Sequence, residues 1–280
     1  MTMIPNLPNL SFVPIESLVI HERHDDERTL PLIKRIRASG VFRNPPVVTP
    51  LRDGTDRYMV LDGANRTTAL QEMGYPHALV QVVQPDDPGL GLQNWNHVVW
   101  ELNPDRFMSN LEQIEEIQVD PIPENGVEPE LWGSCGLALV HLCDFRMFTV
   151  CTTSTELVKR VSVLNAIVDS YRTCSRLDRT MVRSARPLVE VYPNLSGLVI
   201  FPKFKIHDLL RLSGEGCLLP TGITRFTVSP RALHINYPLE ELASNRPVEE
   251  KNAALTRWIQ ERLARKGVRY YAEATFLFDE

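Results

Sequence analysis

The chain has 280 residues, of which 43% are hydrophobic and 23% are charged, a composition typical of a globular protein with one large domain or two ordinary ones. Its formal net charge of −5 argues against the overall basic field with which many proteins bind the phosphates of DNA or RNA. No apolar run approaches the roughly 18 residues of a membrane helix, and the first residues lack a secretion signal, so we expect a cytoplasmic protein.

Residues 12–84 alternate short apolar segments with turn residues, which predicts a compact α+β unit. The predicted elements are a strand at 12–14, a helix at 30–39 ended by Gly40, strands at 46–49 and 58–61, a helix at 65–73 ended by Gly74, and a strand at 78–83. The Pro- and Asp-containing segment 85–89 has the composition of a linker. We therefore predict an N-terminal domain at residues 1–84 and a C-terminal α+β domain at residues 90–280.

The remainder of the chain also mixes helical and strand patterns. The sequence predicts strands near 96–101 and 199–201, a Pro-rich loop at 120–129, a hairpin of 134–142 with 146–152, helices near 104–113, 155–174, 206–212 and 247–266, a strand-like segment at 231–236, and a last strand at 268–278. One basic run has a spacing that could line a helix, and the acidic whole-chain charge favours a solvated or phosphate-facing surface for it: Arg172, Arg176, Arg179, Arg183 and Arg186.

The cysteines contain no C-x-x-C pair, and their odd number fits poorly with a complete disulfide framework. We interpret them as reduced, buried thiols rather than metal or haem ligands, because cysteine is usually buried. They are Cys135, Cys143, Cys151, Cys174 and Cys217.

The sharpest local signal is a strand that ends at Asp62-Gly63 and is followed at once by a helix. This geometry points backbone N–H groups and the positive end of the helix dipole at an anion. Gly63 allows close approach, Arg66 offers a fork of donors to phosphate oxygens, and Asp62 could hold a magnesium ion or orient those donors. An ordinary strand-to-helix turn with a solvated arginine would have the same local pattern.

A second polar element follows the apolar segment 18–20 and begins with His21-Glu22. A carboxylate at the end of a strand can act as a general base toward a hydroxyl group. The surrounding run of charged residues is also typical of a solvated surface, so this element needs a partner elsewhere in the chain.

The motifs occur in a characteristic order: His21-Glu22, a helix ended by Gly40, the segment 45–48, and then Asp62-Gly63 with Arg66. This order resembles the ParB/sulfiredoxin fold in its free serine kinase branch. The resemblance implies that Glu22 activates the hydroxyl of free L-serine and that Asp62, as a second catalytic residue, holds the transferable phosphate with Mg²⁺. It also assigns the turn to nucleotide phosphate binding, through Gly63, Ala64, Asn65, Arg66 and Thr67.

Later segments extend the resemblance over nearly the whole chain. Residues 95–99, 219–225 and 231–236 look like the second half of the siderophore-linked serine kinases. By analogy, the cleft between the two domains should contain the active site, with substrate or nucleotide contacts from His21, Trp95, Asn96, Thr224 and Arg225. A lone tryptophan is, however, more often a core residue than a contact.

One position departs from the family pattern, since Asn65 stands where these kinases commonly have histidine. Asparagine can donate a hydrogen bond to phosphate but carries no positive charge. The resemblance implies ATP or ADP as phosphate donor, Mg²⁺ as cofactor, and O-phospho-L-serine as product for siderophore or amino-acid biosynthesis. The sequence leaves the choice of nucleotide, the acceptor hydroxyl and the oligomeric state open.

The alternative interpretation is a ParB-like DNA-binding or regulatory protein that binds a nucleotide. The acidic balance and the lack of a clear helix-turn-helix pattern argue against it. Sulfiredoxin activity would need a reactive cysteine in the phosphate turn, where Ala64 and Asn65 stand.

Overall fold

The chain has an α+β fold with two larger sheets, which confirms the predicted fold class. The computed structural model describes residues 7–23, 29–123, 131 and 135–271. The elements up to residue 100 are β1 (Leu10–Pro14), β2 (Leu18–Ile20), α1 (Thr29–Ser39), β3 (Val41–Phe42), β4 (Val47–Pro50), β5 (Tyr58–Asp62), α2 (Ala64–Glu72), β6 (His77–Val82), β7 (Leu90–Asn94) and β8 (Asn96–Trp100). The later elements are α3 (Pro104–Glu112), β9 (Ile117–Ile122), β10 (Gly136–Leu142), β11 (Met147–Thr152), α4 (Leu157–Arg172), β12 (Arg176–Thr180), α5 (Arg186–Val189), β13 (Leu195–Ile200), α6 (Ile206–Gly214), β14 (Thr224–Val228), β15 (Tyr237–Pro238), α7 (Leu239–Ala243) and α8 (Val248–Ala264).

The first sheet has the strand order β1-β6-β4-β5-β2, and it contains the strands that the first 84 residues predicted. Helices α1 and α2 cover it through apolar residues such as Ile33, Ile36 and Leu70. Strands β2 and β5 are parallel neighbours, with Ile20 opposite Val60. The residues that follow each strand therefore leave the sheet at the same edge, which puts the two predicted polar elements close together.

The second sheet has the order β12-β8-β13-β10-β11-β9 and contains the predicted hairpin. All residues of β10 and β13 are buried, and α4 packs on this sheet with Val161, Leu164 and Val168 in the core, as its spacing predicted. The Pro-rich loop was predicted too long, because residues 117–122 form β9. Pro121 is tolerated there because β9 is an edge strand that pairs with β11 alone; residues 124–130 lie outside the described part of the chain.

The basic run does not line one face of a helix. Arg172 ends α4, Arg176 and Arg179 lie on the edge strand β12, and Arg186 begins the short helix α5. The run passes from helix to strand and back to helix, because residues 176–180 form β12 and pair with the mostly buried strand β8. Arg172 and Arg179 both reach the turn at residues 221–222, whereas Arg176 pairs with Glu101 and packs on Trp100.

The C-terminal segment returns to the first sheet. Ile235, Tyr237 and Leu255 belong to the same apolar cluster as Phe12 of β1. The predicted strand at 231–236 is absent, because His234 and Asn236 have φ angles of 52° and 53°, which an extended strand cannot accommodate. Residues 268–271 are likewise not in a strand, and 272–278 lie outside the described residues. The division at residues 84–90 stays a prediction.

A short ladder that the sequence did not reveal joins β7 to β14, with Thr224 opposite Asn94 and Arg225 opposite Gln93. The backbone N–H of Trp95 then donates to the carbonyl of Ile223 over 3.0 Å. This pairing brings two distant sequence segments, around 95 and around 224, to the same place.

The cysteines are free thiols, but the expectation that they are buried was wrong. Cys135 is exposed and the other four are half-buried, because they lie at strand ends, edge positions and helix ends rather than in the sheet centres. Among the described residues no group of three His, Cys, Asp or Glu side chains could hold a metal ion. No helix in that part of the chain is both long and apolar enough to cross a membrane.

Candidate active site

The turn after β5 has the geometry of an anion site. Gly63 has φ 97° and precedes α2 without any side chain capping the helix, so the first backbone N–H groups of the helix have no acceptor within it. A Cβ atom at residue 63 would lie 3.0 Å from the guanidinium of Arg66 and 3.0 Å from Cα of Pro46. Glycine is therefore required here both for the backbone angle and for the close approach of Arg66.

Asp62 orients two arginines at this turn. Its Oδ2 atom accepts a hydrogen bond from Nη2 of Arg66 over 2.8 Å and another from Nη2 of Arg231. Burial opposes ionisation of Asp62, but the positive charges of both arginines outweigh it, and the pKa of this carboxyl is lowered. Asp62 is thus an ionised anchor that presents two guanidinium groups beside the helix N-terminus.

Glu22 is held by backbone amides of residues 222–224. Its Oε2 accepts from Gly222 N over 2.6 Å, and its Oε1 accepts from Thr224 N over 2.6 Å, from Thr224 Oγ1 over 2.5 Å and from Ile223 N over 3.2 Å. Both carboxyl oxygens of Glu22 act as acceptors. Oε1 faces two backbone N–H groups and the Thr224 hydroxyl, whereas Oε2 receives one donor, so Oε2 is the oxygen with a lone pair left for a substrate proton.

His21 supports this arrangement from beneath. Its Nδ1 lies 2.7 Å from the carbonyl of Val60, which can only accept, so Nδ1 carries a proton and donates. The Thr224 hydroxyl lies between Nε2 of His21, at 2.7 Å, and Oε1 of Glu22, at 2.5 Å, and its single proton can be donated to one of them at a time. The ring is buried and stacks edge-on against Phe226. His21 and Thr224 therefore contact Glu22 and hold it.

His97 lies under the same turn. Its ring bonds the backbone of Gly222 and Thr221 and approaches the hydroxyl of Tyr171, with Nδ1 3.1 Å from the oxygen. Burial, reinforced by the charge of Arg179, lowers the pKa of His97 to about 4. A neutral imidazole thus supports the turn that holds Glu22.

These elements surround one cavity of about 1050 Å³, large enough for a nucleotide with a small second substrate. Trp95 lines it, with the guanidinium of Arg225 5.1 Å from the centre of its ring, so the tryptophan is a wall residue rather than a core residue. In the described part of the chain the lining is strongly cationic. The lining contains the carboxylates of Glu22 and Asp62 and a larger number of arginines, namely Arg23, Arg35, Arg43, Arg66, Arg179, Arg225 and Arg231.

Most of the predicted site residues meet at this cavity. Its lining includes His21, Glu22, Asp62, Gly63, Ala64, Asn65, Arg66, Trp95, Thr224 and Arg225. Two predicted contacts do not reach it. Thr67 is fully buried on the sheet side of α2, and Asn96 is buried with its Nδ2 donating to the carbonyl of Val182 over 2.8 Å. Asn96 is the first residue of β8 and is buried in the second sheet, whereas Trp95 precedes that strand and remains at the cavity wall.

Sequence reasoning missed three residues of the site. Arg231 and Gly222 stand in segments that resembled the serine kinases, but nothing local assigned them a role. Arg179 was assigned only to a general basic run. Arg231 and Gly222 bond Asp62 and Glu22, which lie 169 and 200 positions away in the chain, and contacts over such separations leave no local pattern.

Magnesium fits this site through one carboxylate oxygen. Oδ2 of Asp62 is taken by the two arginines, whereas Oδ1 has no bond within the described residues and could reach a metal ion carried by nucleotide phosphates. Mg²⁺ in such sites commonly uses one or two carboxylates together with the phosphates and water.

Three comparisons place the chain among known proteins. It is 25% identical to the ATP-dependent L-serine kinase SbnI of Staphylococcus aureus over 97% of this chain and 98% of that protein, and the solved truncated SbnI has a TM-score of 0.68 at 24% identity, covering 92% of this chain and 97% of that one. An ATP-dependent L-serine kinase of Staphylothermus marinus is 32% identical over 83 residues, 30% of this chain and 32% of that protein. A free serine kinase in complex with AMP has a TM-score of 0.68 at 17% identity over 86% of this chain and 97% of that one. No family model matches the chain. The names of these relatives agree with the resemblance to free serine kinases that the motifs indicated.

Proposed function

We propose that this chain is a free serine kinase that transfers the terminal phosphate of ATP to the hydroxyl of L-serine, giving O-phospho-L-serine and ADP. The observation that carries the proposal is the meeting of a carboxylate with one accessible lone pair, Glu22, and an anion-binding helix N-terminus in one cationic cavity. Both curated relatives described above are named as ATP-dependent L-serine kinases, which supports ATP over ADP as the donor.

The phosphate side of the reaction belongs to the turn at residues 62–66. Backbone N–H groups at the start of α2, together with Arg66 and Arg231, bind the phosphate oxygens. Because Asp62 fixes both guanidinium groups before substrate binds, they need little reorganisation when negative charge shifts toward the leaving ADP. Asp62 would hold Mg²⁺ together with the phosphates, and the ion would supply further charge neutralisation.

The serine side belongs to Glu22. The serine hydroxyl oxygen forms a bond to the terminal phosphorus while the bond from phosphorus to the leaving oxygen of ADP breaks, and the hydroxyl proton moves to Oε2 of Glu22. The backbone amides of residues 222–224 hold the carboxylate in the position from which it can accept this proton. Asn65, at the mouth of the turn, contributes a hydrogen bond and no charge, so the arginines must supply the cationic contacts of the protein.

The test is direct. Purified protein is incubated with Mg²⁺, L-serine and either ATP or ADP, and phosphorus NMR follows the appearance of phosphoserine. We expect phosphoserine with ATP and a dependence on Mg²⁺ that chelation removes. Folded protein that makes no phosphoserine with either nucleotide would refute the kinase proposal, and product with ADP alone would refute the choice of donor. The supply of phosphoserine to a siderophore or amino-acid pathway stays a prediction.

A further inference from the structure

Arg179 reaches the cavity from the edge of the second sheet. It lies on β12 opposite His97 of β8, and its side chain extends over residues 221–223 to line the cavity. A Cβ atom at residue 222 would lie only 2.2 Å from Cζ, Nε and Nη2 of Arg179. The guanidinium therefore packs flat on Gly222, whose φ of 72° and missing side chain create the space for it.

The same glycine holds the proposed base. The N–H of Gly222 donates to Oε2 of Glu22 over 2.6 Å, the oxygen with the remaining lone pair. The guanidinium of Arg179 and the proton-accepting oxygen thus share one backbone residue as their support. This places Arg179 on the serine side of the cavity, whereas Arg66 and Arg231 are bound to Asp62 on the phosphate side.

The charge of Arg179 is uncompensated by its neighbours. Among the described residues no carboxylate oxygen lies within 4.0 Å of the Arg179 guanidinium, the distance that defines an ion pair. By contrast, Arg23 pairs with Asp169 and Arg66 pairs with Asp62. Burial is the main cause of the lowered pKa of His97, and the positive charge of Arg179 lowers it further. A guanidinium without an ion-pair partner beside a small-molecule site is suited to bind a carboxylate in the planar, bidentate geometry.

We infer that Arg179 binds the α-carboxylate of the serine substrate. In serine, only Cβ and Cα separate the hydroxyl oxygen from the carboxylate, so a hydroxyl at Oε2 of Glu22 puts the carboxylate within the neighbourhood of Gly222. The assignment rests on the proposed function and extends it to substrate class. The site accepts a free amino acid, and it discriminates against serine whose carboxylate is esterified, amidated or part of a peptide.

The test compares two acceptors in three proteins. L-serine and L-serine methyl ester are assayed with ATP in the wild type, in Arg179→Ala and in Arg176→Ala. Arg176 is the matched control, because it lies on the same strand but pairs with Glu101 and packs on Trp100 outside the cavity. Loss of a charge-assisted bidentate contact should raise the KM for serine by about 10- to 100-fold in Arg179→Ala.

Four results support the assignment together: the ester is a poor acceptor for the wild type, Arg179→Ala loses that discrimination, its ATP affinity stays within about threefold, and Arg176→Ala resembles the wild type. Arg179→Lys keeps the charge without the planar fork, so its KM for serine should lie between those of the wild type and Arg179→Ala. The assignment of Arg179 would be overturned if Arg179→Ala lost as much activity with the ester as with serine, or if it lost much of its affinity for ATP. A wild type that makes phosphoserine while Arg179→Ala keeps its KM refutes this assignment alone; a wild type without product refutes the proposed function and the assignment with it. Melting temperatures confirm that each variant is folded.

Discussion

The two halves of the candidate site are built in opposite ways. The phosphate turn is nearly contiguous, since strand β5, Gly63 and the start of α2 follow one another in the chain and only Arg231 comes from elsewhere. The base region is assembled from Glu22 and residues 221–224, about 200 positions apart, with His97 below them.

The difference has a physical cause. An anion site at a helix N-terminus is made from backbone N–H groups, which any correctly formed turn provides. A general base must be held at a defined position, and here this requires hydrogen-bond donors from a second part of the chain. We therefore expect substitutions in the two regions to have separable effects: turnover should depend on the assembled region, and nucleotide affinity on the turn.

The largest effect is expected for Glu22→Gln, which keeps the shape of the side chain but removes the proton acceptor. Turnover should fall by about a hundred- to ten-thousandfold, while the affinity for ATP changes little. Steady-state kinetics with calorimetric titration of ATP measures both quantities. Glu16→Gln, at an exposed position outside the cavity, is the control. Near-normal turnover of Glu22→Gln would show that another group takes the proton.

The base region should also be sensitive to acid through His97. Its pKa of about 4 in the folded protein lies below its ordinary 6.5, so the unfolded chain binds this proton first. The contribution of His97 to stability is complete above pH 6.5 and is lost as the pH falls to about 4, by about 3 kcal/mol. Urea unfolding between pH 4 and 7 measures this loss. His97→Gln should flatten the curve across this range, and an unchanged slope would contradict the assignment.

In the phosphate turn, Arg66→Ala should weaken ATP binding by about 1.5–3 kcal/mol, because it removes a charged donor that acts before and during transfer. Turnover at saturating ATP should fall less than in Glu22→Gln. Arg57→Ala is a matched control, since Arg57 forms an ion pair with Asp53 at the same spacing of four residues but lies outside the cavity lining. Calorimetry separates the two variants, and equal ATP affinities would remove Arg66 from the phosphate site.

The smallest effect is expected at Thr224. Thr224→Val removes the hydroxyl that lies between His21 and Glu22, while the three backbone hydrogen bonds to the carboxylate remain. Turnover should fall by about tenfold with the KM for serine nearly unchanged, and Thr224→Ser should restore it. A rise in the KM for serine alone would instead identify Thr224 as a direct substrate contact.

Local patterns were sufficient for much of the fold. The helices at 29–39, 157–172 and 248–264 were predicted from their apolar spacing and terminating residues, and the hairpin around 143–146 from its turn. The failures lie where pairing partners override local preference. Pro121 suggested a loop but occupies an edge strand, and residues 231–236 looked extended but contain left-handed residues. Strand β7, which pairs with β14, was not predicted.

The sequence by itself determined the resemblance to free serine kinases, with which the names of the relatives agree. It also predicted the phosphate turn and Glu22 as the candidate base. These features depend on residues that are close together in the chain or on motif order. Only the tertiary structure decided what holds Glu22, which arginines flank Asp62, that Asn96 and Thr67 are turned away, and that Arg179 lies on Gly222. Those contacts join residues far apart in the sequence, and their positions depend on strand register and sheet order, which no local spacing of residue types encodes.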